Sequence, residues 1–571
     1  MTTLTDSRPL TKTPTPVTLT TSEPRALIPP APGSVASPRP SSYPPGEPSL
    51  HRRARGRDSV AGSLPLMEHA ALAGALALQD AATRSYGLFL RAATLPPGAA
   101  ERLGPAAALR AALHAARHVP AYRAFLAEAA WRDQPDAPTP ARLARLPIMD
   151  KESYVRRYSI EERCLDGALP RAGLQIDESS GSSGTAFNWV RGAAESREMR
   201  RTMALFARYL CGDGAIAINA FSMGAWATGV STGEALRRHC IVKSTGPDVE
   251  KVLDTMRAFG PRYPYVLTGY PPFLKSLVDE GERAGFPWAD YRVRALVGGE
   301  VMGEGLRAHL ERCLDVVYSG YGASDLEMGV AGESPFTVWL RRRVAADDGL
   351  RRALFGDAEC LPMIFQYNPL THYVEATPGG ELVVTINRLS VVSPRVRYNI
   401  HDAGGVVPFA RVARLLQARR LDPHACVAPG QPLLRFPLLY LYGRSDDTVS
   451  YMGANIYPRD VEDALYDDGS DAARITGYCL ALHAQDGEER PCVHVEVRGG
   501  PHDDPEMAGR LAARIVRHLA NVNRDFRNAL AENPATGQLA VRLHAAGEGP
   551  FAGDAGRIKR RRVVRERGTT L

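Results

Sequence analysis

A chain of 571 residues is too long for one ordinary hydrophobic core, so two or more domains are expected. Apolar residues make up 44% and charged residues 23%, which fits a soluble globular protein and excludes a collagen-like or low-complexity one. The net charge of +7 is concentrated at 52–57 and at 557–567 (RIKRRRVVRER), with no aromatic residues interleaved, so these runs read as solvated tails and no nucleic-acid partner is expected.

The eight cysteines, Cys164, Cys211, Cys240, Cys313, Cys360, Cys426, Cys479 and Cys492, form no CxxC pair. Neither a zinc ribbon nor a disulfide framework is therefore indicated. His239-Cys240 and His424/Cys426 each offer two ligands, but no second pair stands at ligand spacing, and no metal is expected there. The N-terminus lacks a charged start followed by an apolar core, and no apolar run reaches the ~20 residues that span a bilayer. The expected location is cytoplasmic, with no membrane partner.

Residues 1–62 are rich in Pro, Ser, Thr and Arg and are expected to be disordered, because they hold too little apolar surface to offset the entropy of ordering. Residues 64–130 are Ala-rich with helical periodicity. A connector over 138–150 ends in Leu146-Pro147-Ile148-Met149-Asp150. A short alternating run over 174–177 reads as a strand, and helix-prone sequence runs from about 193 to 208. Between them lies Ser179-Ser180-Gly181-Ser182-Ser183-Gly184-Thr185. A strand, a Gly/Ser/Thr loop and a helix form an arrangement that holds phosphate, since curled backbone N–H groups and hydroxyls point at one anion. The loop is not a Walker A motif, which needs Lys after its last Gly; here Thr185 follows Gly184.

Further strands are predicted over 215–220, 265–267, 295–297, 316–318 and 381–386, alternating with helical stretches, which argues for an α/β layered core. From about 441 the character changes. Strands over 478–482, 493–497 and 539–543, with a helix over 507–530, predict a small α+β unit. The expected division is 63–440 and 441–571.

Six short sequences follow the Ser/Gly loop in order. They are Val297-Gly298-Gly299-Glu300; Tyr318-Ser319-Gly320-Tyr321-Gly322-Ala323-Ser324-Asp325; Arg397-Tyr398-Asn399-Ile400-His401-Asp402; Tyr442-Gly443-Arg444-Ser445-Asp446-Asp447; Gly453-Ala454-Asn455-Ile456-Tyr457-Pro458 with Asp460-Val461-Glu462; and Gly556-Arg557-Ile558-Lys559-Arg560. Over about 140–560 this constellation resembles the adenylate-forming superfamily of acyl-CoA ligases and adenylation domains, and within it the phenylacetate–CoA ligase branch. The spacing of GRSDD and GxNIYP is the most specific part of the resemblance. The 363–370 stretch (MIFQYNPL) looks like a sub-branch found in aromatic natural-product pathways.

The resemblance implies a large multi-layer α/β N-terminal domain with a small mobile α+β C-terminal lid. It implies ATP, Mg²⁺ and coenzyme A as cofactors and a small, aromatic carboxylic acid as substrate. A carrier-protein thiol or an amine is the alternative acceptor, and a silent acid- or nucleotide-binding homologue is the third reading. By the same resemblance Ser179, Ser180, Gly181, Ser182, Ser183, Gly184 and Thr185 would hold the β and γ phosphates. Gly298, Gly299 and Glu300 would line the adenine site, Tyr321 would stack near the base, and Gly322 and Ser324 belong to the same nucleotide-binding run. Asp325 would bind Mg²⁺, Asp402 would accept from the ribose hydroxyls, and Arg444 would contact ribose or phosphate. Asp446 would be the hinge. Phe221, Trp226, Tyr265, Gly269 and Tyr270 fall where the family lines its acid site, although for most of these aromatics ordinary core packing is the stronger reading.

The sequence departs from the family pattern in three places. Thr185-Ala186 stands for Lys-Pro, Asp325 for Glu, and Arg557 for the catalytic Lys of the lid. Arg keeps the charge without the compact shape of an ammonium. Lys559, two residues on, is the other candidate for that charge.

Overall fold

The computed structural model describes residues 64–179, 187–224, 227–356, 361–444, 449–466, 471, 474–485, 488–498, 503–552 and 563–565. The expected N-terminal tail, Ser180–Thr185 of the Ser/Gly loop, Trp226, Asp446, Arg557 and Lys559 lie outside the described residues. The chain divides into Met1–Asp58, also outside them, and Ser59–Leu571, to which everything below belongs.

The Ala-rich segment forms helices Leu66–Ala82, Tyr86–Ala93, Ala99–His118 and Pro120–Glu128. Ser85 caps the second through the Leu88 amide, and Pro120 opens the fourth, where its missing N–H costs no hydrogen bond. The Ala106–Ala116 stretch of the third is almost wholly buried, its small side chains allowing close approach to the sheet.

Strands β1 (Leu174–Ser179) and β2 (Phe187–Gly192) pair antiparallel, Ser179 opposite Phe187. This corrects the strand–loop–helix reading of the Ser/Gly loop: it joins two strands, and helix Ala193–Cys211 begins only after β2. The aromatic and β-branched residues of 187–192, Phe187, Trp189 and Val190, are the sequence signal for β2. The helix that follows the loop in sequence therefore starts only after β2.

One eleven-stranded sheet forms the body. Its parallel half contains β3 (Ile216–Asn219), β4 (Ile241–Ser244), β5 (Pro264–Gly269), β6 (Arg292–Gly298) and β7 (Val316–Tyr321), in spatial order β4-β3-β5-β6-β7. Helices cross between successive strands, as parallel pairing requires. Both faces are covered. Ile218, Leu267, Ala295 and Val317 belong to the main core, while Ala217 and Val266 pack with Leu236 on the other side. This explains the continuous apolar runs. The sheet continues antiparallel through β8 (Ala331–Gly332), β9 (Met363–Gln366), β10 (His372–Ala376), β11 (Glu381–Ile386), β12 (Tyr398–Val407) and β13 (Leu438–Arg444), in order β8-β9-β13-β12-β11-β10.

After the main sheet come a hairpin, β14 (Val449–Tyr451) and β15 (Ala454–Ile456), and a sheet of β16 (Ile475–Gln485), β17 (Glu488–Val497), β18 (Ala540–His544) and β19 (Val563–Arg565), ordered β18-β17-β16-β19. One face of this sheet, with Leu480, Val493 and Val495, packs on Met507, Leu511, Ile515 and Leu519, a stripe at four-residue spacing. This is a core separate from the main one. The single helix expected over 507–530 is two, Pro505–Val522 and Arg524–Glu532. Asn523 breaks it with extended backbone (φ −108°, ψ 105°) and caps the second helix through the Phe526 amide. No helix among the described residues is long and apolar enough to cross a membrane.

Candidate active site

The carboxyl ends of parallel strands leave backbone amides and loop side chains unpaired, and ligands bind there in open α/β sheets. In this chain β3 leads to Phe221, β5 to Tyr270, β6 to Gly299 and Glu300, and β7 ends at Tyr321. All of these line one cavity of about 1120 Å³, which also reaches Ser179, Gly298, Gly322, Ser324, Asp325, Asp402 and Arg444. The structure thus brings to one wall candidate residues spread from 179 to 444.

Asp402 on β12 stands opposite Arg444 on β13 in register. The Tyr321 hydroxyl donates to Asp402 Oδ2 at 2.7 Å. Burial, with Asp402 beside it, raises the Tyr321 phenol well above its ordinary range, so it remains a protonated donor. Its ring lies 5.8 Å from that of Phe365.

Two buried guanidinium groups fix the loop after β7. Arg191 donates to the Ser324 carbonyl at 2.6 Å and the Leu326 carbonyl at 2.8 Å, and is itself neutralised by Asp177 at 2.5 Å. Arg395 donates to the Asp325 carbonyl at 2.8 Å. The Asp325 side chain is thereby presented to Lys151, whose Nζ lies 3.2 Å from Oδ2, and to the Tyr398 hydroxyl, which donates to the same oxygen at 3.2 Å. Burial pushes the Asp325 carboxyl up. Lys151 foremost, with the hydrogen-bonded Ser179 hydroxyl and Arg444, outweighs this and holds it below the usual carboxylate range. Ser179 in turn accepts from Trp189 Nε1 at 2.8 Å.

Asp325, the residue expected at a metal, thus faces Lys151 and Tyr398 through its Oδ2 atom. Lys151 was not visible as a site residue in the sequence. It opens a helical turn, Lys151–Val155, capped by the Asp150 carboxylate, which accepts from the Ser153 amide at 2.7 Å. A lone Lys after a cap residue carries no motif.

On the acid side, Phe221 and Tyr270 meet edge to face at 5.3 Å and 84°. Tyr265 does not join them. It sits near the amino end of β5, far along the strand from the cavity, and its hydroxyl donates to the Gly260 carbonyl at 2.7 Å within the core. Gly269 is at the correct end, but a Cβ there would meet Phe273 and Leu274, so it faces the following helix.

The C-terminal unit closes over the same mouth. Met452 and Gly453 form the two-residue turn of the β14–β15 hairpin, both at positive φ (+51° and +80°), the mirror-image turn that fits strand twist. A Cβ on Gly453 would stand 2.8 Å from Tyr270 Cζ, and one on Gly299 (φ +86°) 2.9 Å from Tyr270 Cε1. Two glycines, one from each part of the chain, thus lie close against the Tyr270 ring. The Gly453 amide donates to Glu300 Oε1 at 2.6 Å, Arg524 pairs with Glu178 at 3.1 Å, and Ser222 donates to Glu532. Asn523, which breaks the lid helix, donates to the Asn455 carbonyl at 2.7 Å and so ties that break to the hairpin.

No protein-family model and no curated protein matches the chain. Among solved structures it is similar to 2-hydroxyisobutyryl-CoA ligase in complex with 2-HIB-AMP and CoA, with a TM-score of 0.56 and 15% identity, covering 83% of this chain and 91% of that one. An open conformation of the same ligase gives a TM-score of 0.48 at 15% identity, covering 82% and 92%. The o-succinylbenzoate CoA synthetase of Bacillus subtilis gives 0.37 at 14%, covering 59% and 61%. At 15% identity the likeness speaks for architecture alone: this chain shares the mixed α/β fold, with its C-terminal α+β unit, of the 2-hydroxyisobutyryl-CoA ligase in complex with 2-HIB-AMP and CoA.

Proposed function

We propose that the protein activates a carboxylic acid with ATP and transfers the acyl group to coenzyme A. In the first step a carboxylate oxygen attacks the α-phosphorus, a P–O bond forms, and pyrophosphate leaves with the electron pair of the broken bond. In the second, a thiolate attacks the acyl carbon, a C–S bond forms, AMP leaves, and the thiol proton passes to solvent. The observation that carries the reading is the shared wall described above: Asp402 with Tyr321, the Gly298–Glu300 turn, and the Lys151–Asp325 pair line one cavity under the Gly453 turn.

In this reading Asp402 and Arg444 bind the ribose side, and the Gly298–Gly299–Glu300 backbone lies along the adenine. Tyr321 orients Asp402 and closes that end. The Ser179–Thr185 loop holds the terminal phosphates, its residues beyond Ser179 outside the described ones. Negative charge grows on the transferring phosphoryl, so the site needs a cation as well as donors. Lys151 supplies one from the body of the protein; Arg557 or Lys559 supplies another from the lid when it turns about Asp446. Asp325 would supply a carboxylate oxygen to Mg²⁺ beside the nucleotide phosphates, and the ion would neutralise phosphate charge when bound. Phe221 against Tyr270 favours a flat, aromatic acid, and the GRSDD and GxNIYP pair favours the phenylacetate–CoA ligase-like branch.

The test is pyrophosphate release with a panel of aryl acids, with and without CoA, together with mass-spectrometric detection of acyl-AMP. Acid-dependent release and consumption of CoA are expected. No release with any acid would overturn the reading, and release without CoA consumption would move the acceptor to a carrier-protein thiol or an amine.

A further inference from the structure

The second face of the lid sheet, away from its apolar core, is unlike a solvated edge. Strand alternation puts Cys479, Ala481 and His483 of β16 and Cys492 and His494 of β17 on this side, with Ala481 opposite Cys492 and Cys479 opposite His494. His483, Cys492 and His494 are all buried, at 7%, 1% and 2% exposure. The His483 and His494 rings meet across the two strands, their centroids 4.8 Å apart. Their Nε2 atoms are 2.6 Å apart, and the candidate ligand atoms of all three residues lie within 4.8 Å of one another.

We infer that His483, Cys492 and His494 form a binding site for a borderline-soft divalent cation of the Zn²⁺ class, fastening β16 to β17 in the lid. The donor chemistry suits that class: two imidazole nitrogens and one thiolate are ligands of zinc and poor ligands for Mg²⁺ or Ca²⁺. The spacing suits it too. Zinc bound to two nitrogens at about 2.0–2.1 Å in a tetrahedron holds them about 3.3 Å apart, so the rings need to part by only about 0.7 Å. Apposed Nε2 lone pairs repel unless a proton or a cation lies between them.

His544 supplies an outer partner. Its Nε2 is 2.7 Å from His494 Nδ1, and its ring lies 5.9 Å from that of Phe551, edge on. A proton on His494 Nδ1, donated to His544, leaves the lone pair on Nε2, the atom that faces His483. Outer hydrogen bonds of this kind orient most metal-bound histidines. His239-Cys240 and His424/Cys426, the pairs that stand out in the sequence, have no third ligand beside them among the described residues. The inference is independent of the proposed function, since nothing in the cavity enters it.

The experiment uses the full chain without a metal-binding tag, treated with chelator, dialysed, and titrated with Zn²⁺ and separately with Co²⁺. One equivalent of Zn²⁺ per chain is expected to survive dialysis. Co²⁺ should give thiolate-to-cobalt absorption and intense tetrahedral bands. X-ray absorption at the zinc edge should read nitrogens at about 2.0–2.1 Å and one sulfur at about 2.3 Å. Cys492→Ser and His483→Gln should lose the equivalent, and His544→Ala should weaken binding about 10- to 100-fold. A wild-type chain that retains no zinc, or whose zinc shell holds no sulfur, overturns the inference whether or not the variants fold. Folded Cys492→Ser and His483→Gln proteins that keep the equivalent overturn it as well, by placing the ion elsewhere.

Discussion

The Lys151 ammonium lies 3.2 Å from the Asp325 carboxylate at the wall of the cavity, in the position where the sequence pattern leads one to expect a metal ligand. A protein charge thus stands beside Asp325, and the loop that carries it is pinned by Arg191 and Arg395. Lys151→Ala is expected to slow acyl-AMP formation by about two to three decades, the cost of about 2.7–4 kcal/mol for one well-placed electrostatic contact. Thioester formation from preformed acyl-AMP should change far less. The double variant Lys151→Ala/Asp325→Asn separates the alternatives: full recovery would mean that the defect came only from an unpaired Asp325. Arg557→Ala and Lys559→Ala, measured in the same two half-reactions, report whether the lid adds a second charge. Parent rates for both would leave that run as a solvated tail.

Asp402 accepts from a buried phenol and stands opposite Arg444 across the strands. Asp402→Asn should raise the KM for ATP with a smaller change in kcat, by an amount corresponding to about 1.5–3 kcal/mol for a charged hydrogen bond. Tyr321→Phe should give the same split at lower amplitude. An unchanged KM for ATP in both would remove Asp402 from the ribose site.

Gly453 has no room for a side chain, with φ at +80° and the Tyr270 ring 2.8 Å from the Cβ position. Gly453→Ala is expected to impair docking of the lid, increasing its cleavage in limited proteolysis and lowering turnover. The positive φ alone costs about 1–2 kcal/mol. Tyr270→Leu in the same chain should restore part of the docking by removing the clash but none of the backbone strain. Additive effects of the two changes would show that the ring and the turn do not meet in solution.

Glu327 is buried between His372, at 2.6 Å, and Arg388. Burial raises its pKa, but Arg388 first and then His372 outweigh it and hold the carboxyl at about 2, against 4.5 in a free chain. The depressed value means that ionised Glu327 stabilises the fold at pH above 4.5 and that this contribution is lost as pH falls from 4.5 towards 2. Urea unfolding at stepped pH should show stability falling more steeply in the wild type than in Glu327→Gln over that window. Parallel curves would contradict the assignment.

Much of the site was legible from residue order, because glycines at strand ends and an acid after a tyrosine belong to local segments. Val297-Gly298-Gly299-Glu300 and Tyr318–Tyr321 stand where β6 and β7 end, since an apolar run followed by Gly or Tyr marks the point at which pairing stops. The lid was legible from its strand runs and the helical stretch over 507–530, although Asn523 breaks that helix through a cap that periodicity does not show. What only the tertiary structure decided are the relations between distant segments. Tyr265 and Tyr270 lie close together on the chain, yet they serve core and cavity because β5 carries them to opposite ends of the sheet. Lys151 reaches Asp325, and Gly453 reaches Tyr270 and Glu300, through pairings that local spacing does not encode. Each segment's periodicity determines its own secondary structure and buried face; which charge meets which carboxylate is settled when those faces pack, because burial leaves a charged group no favourable state except beside its partner.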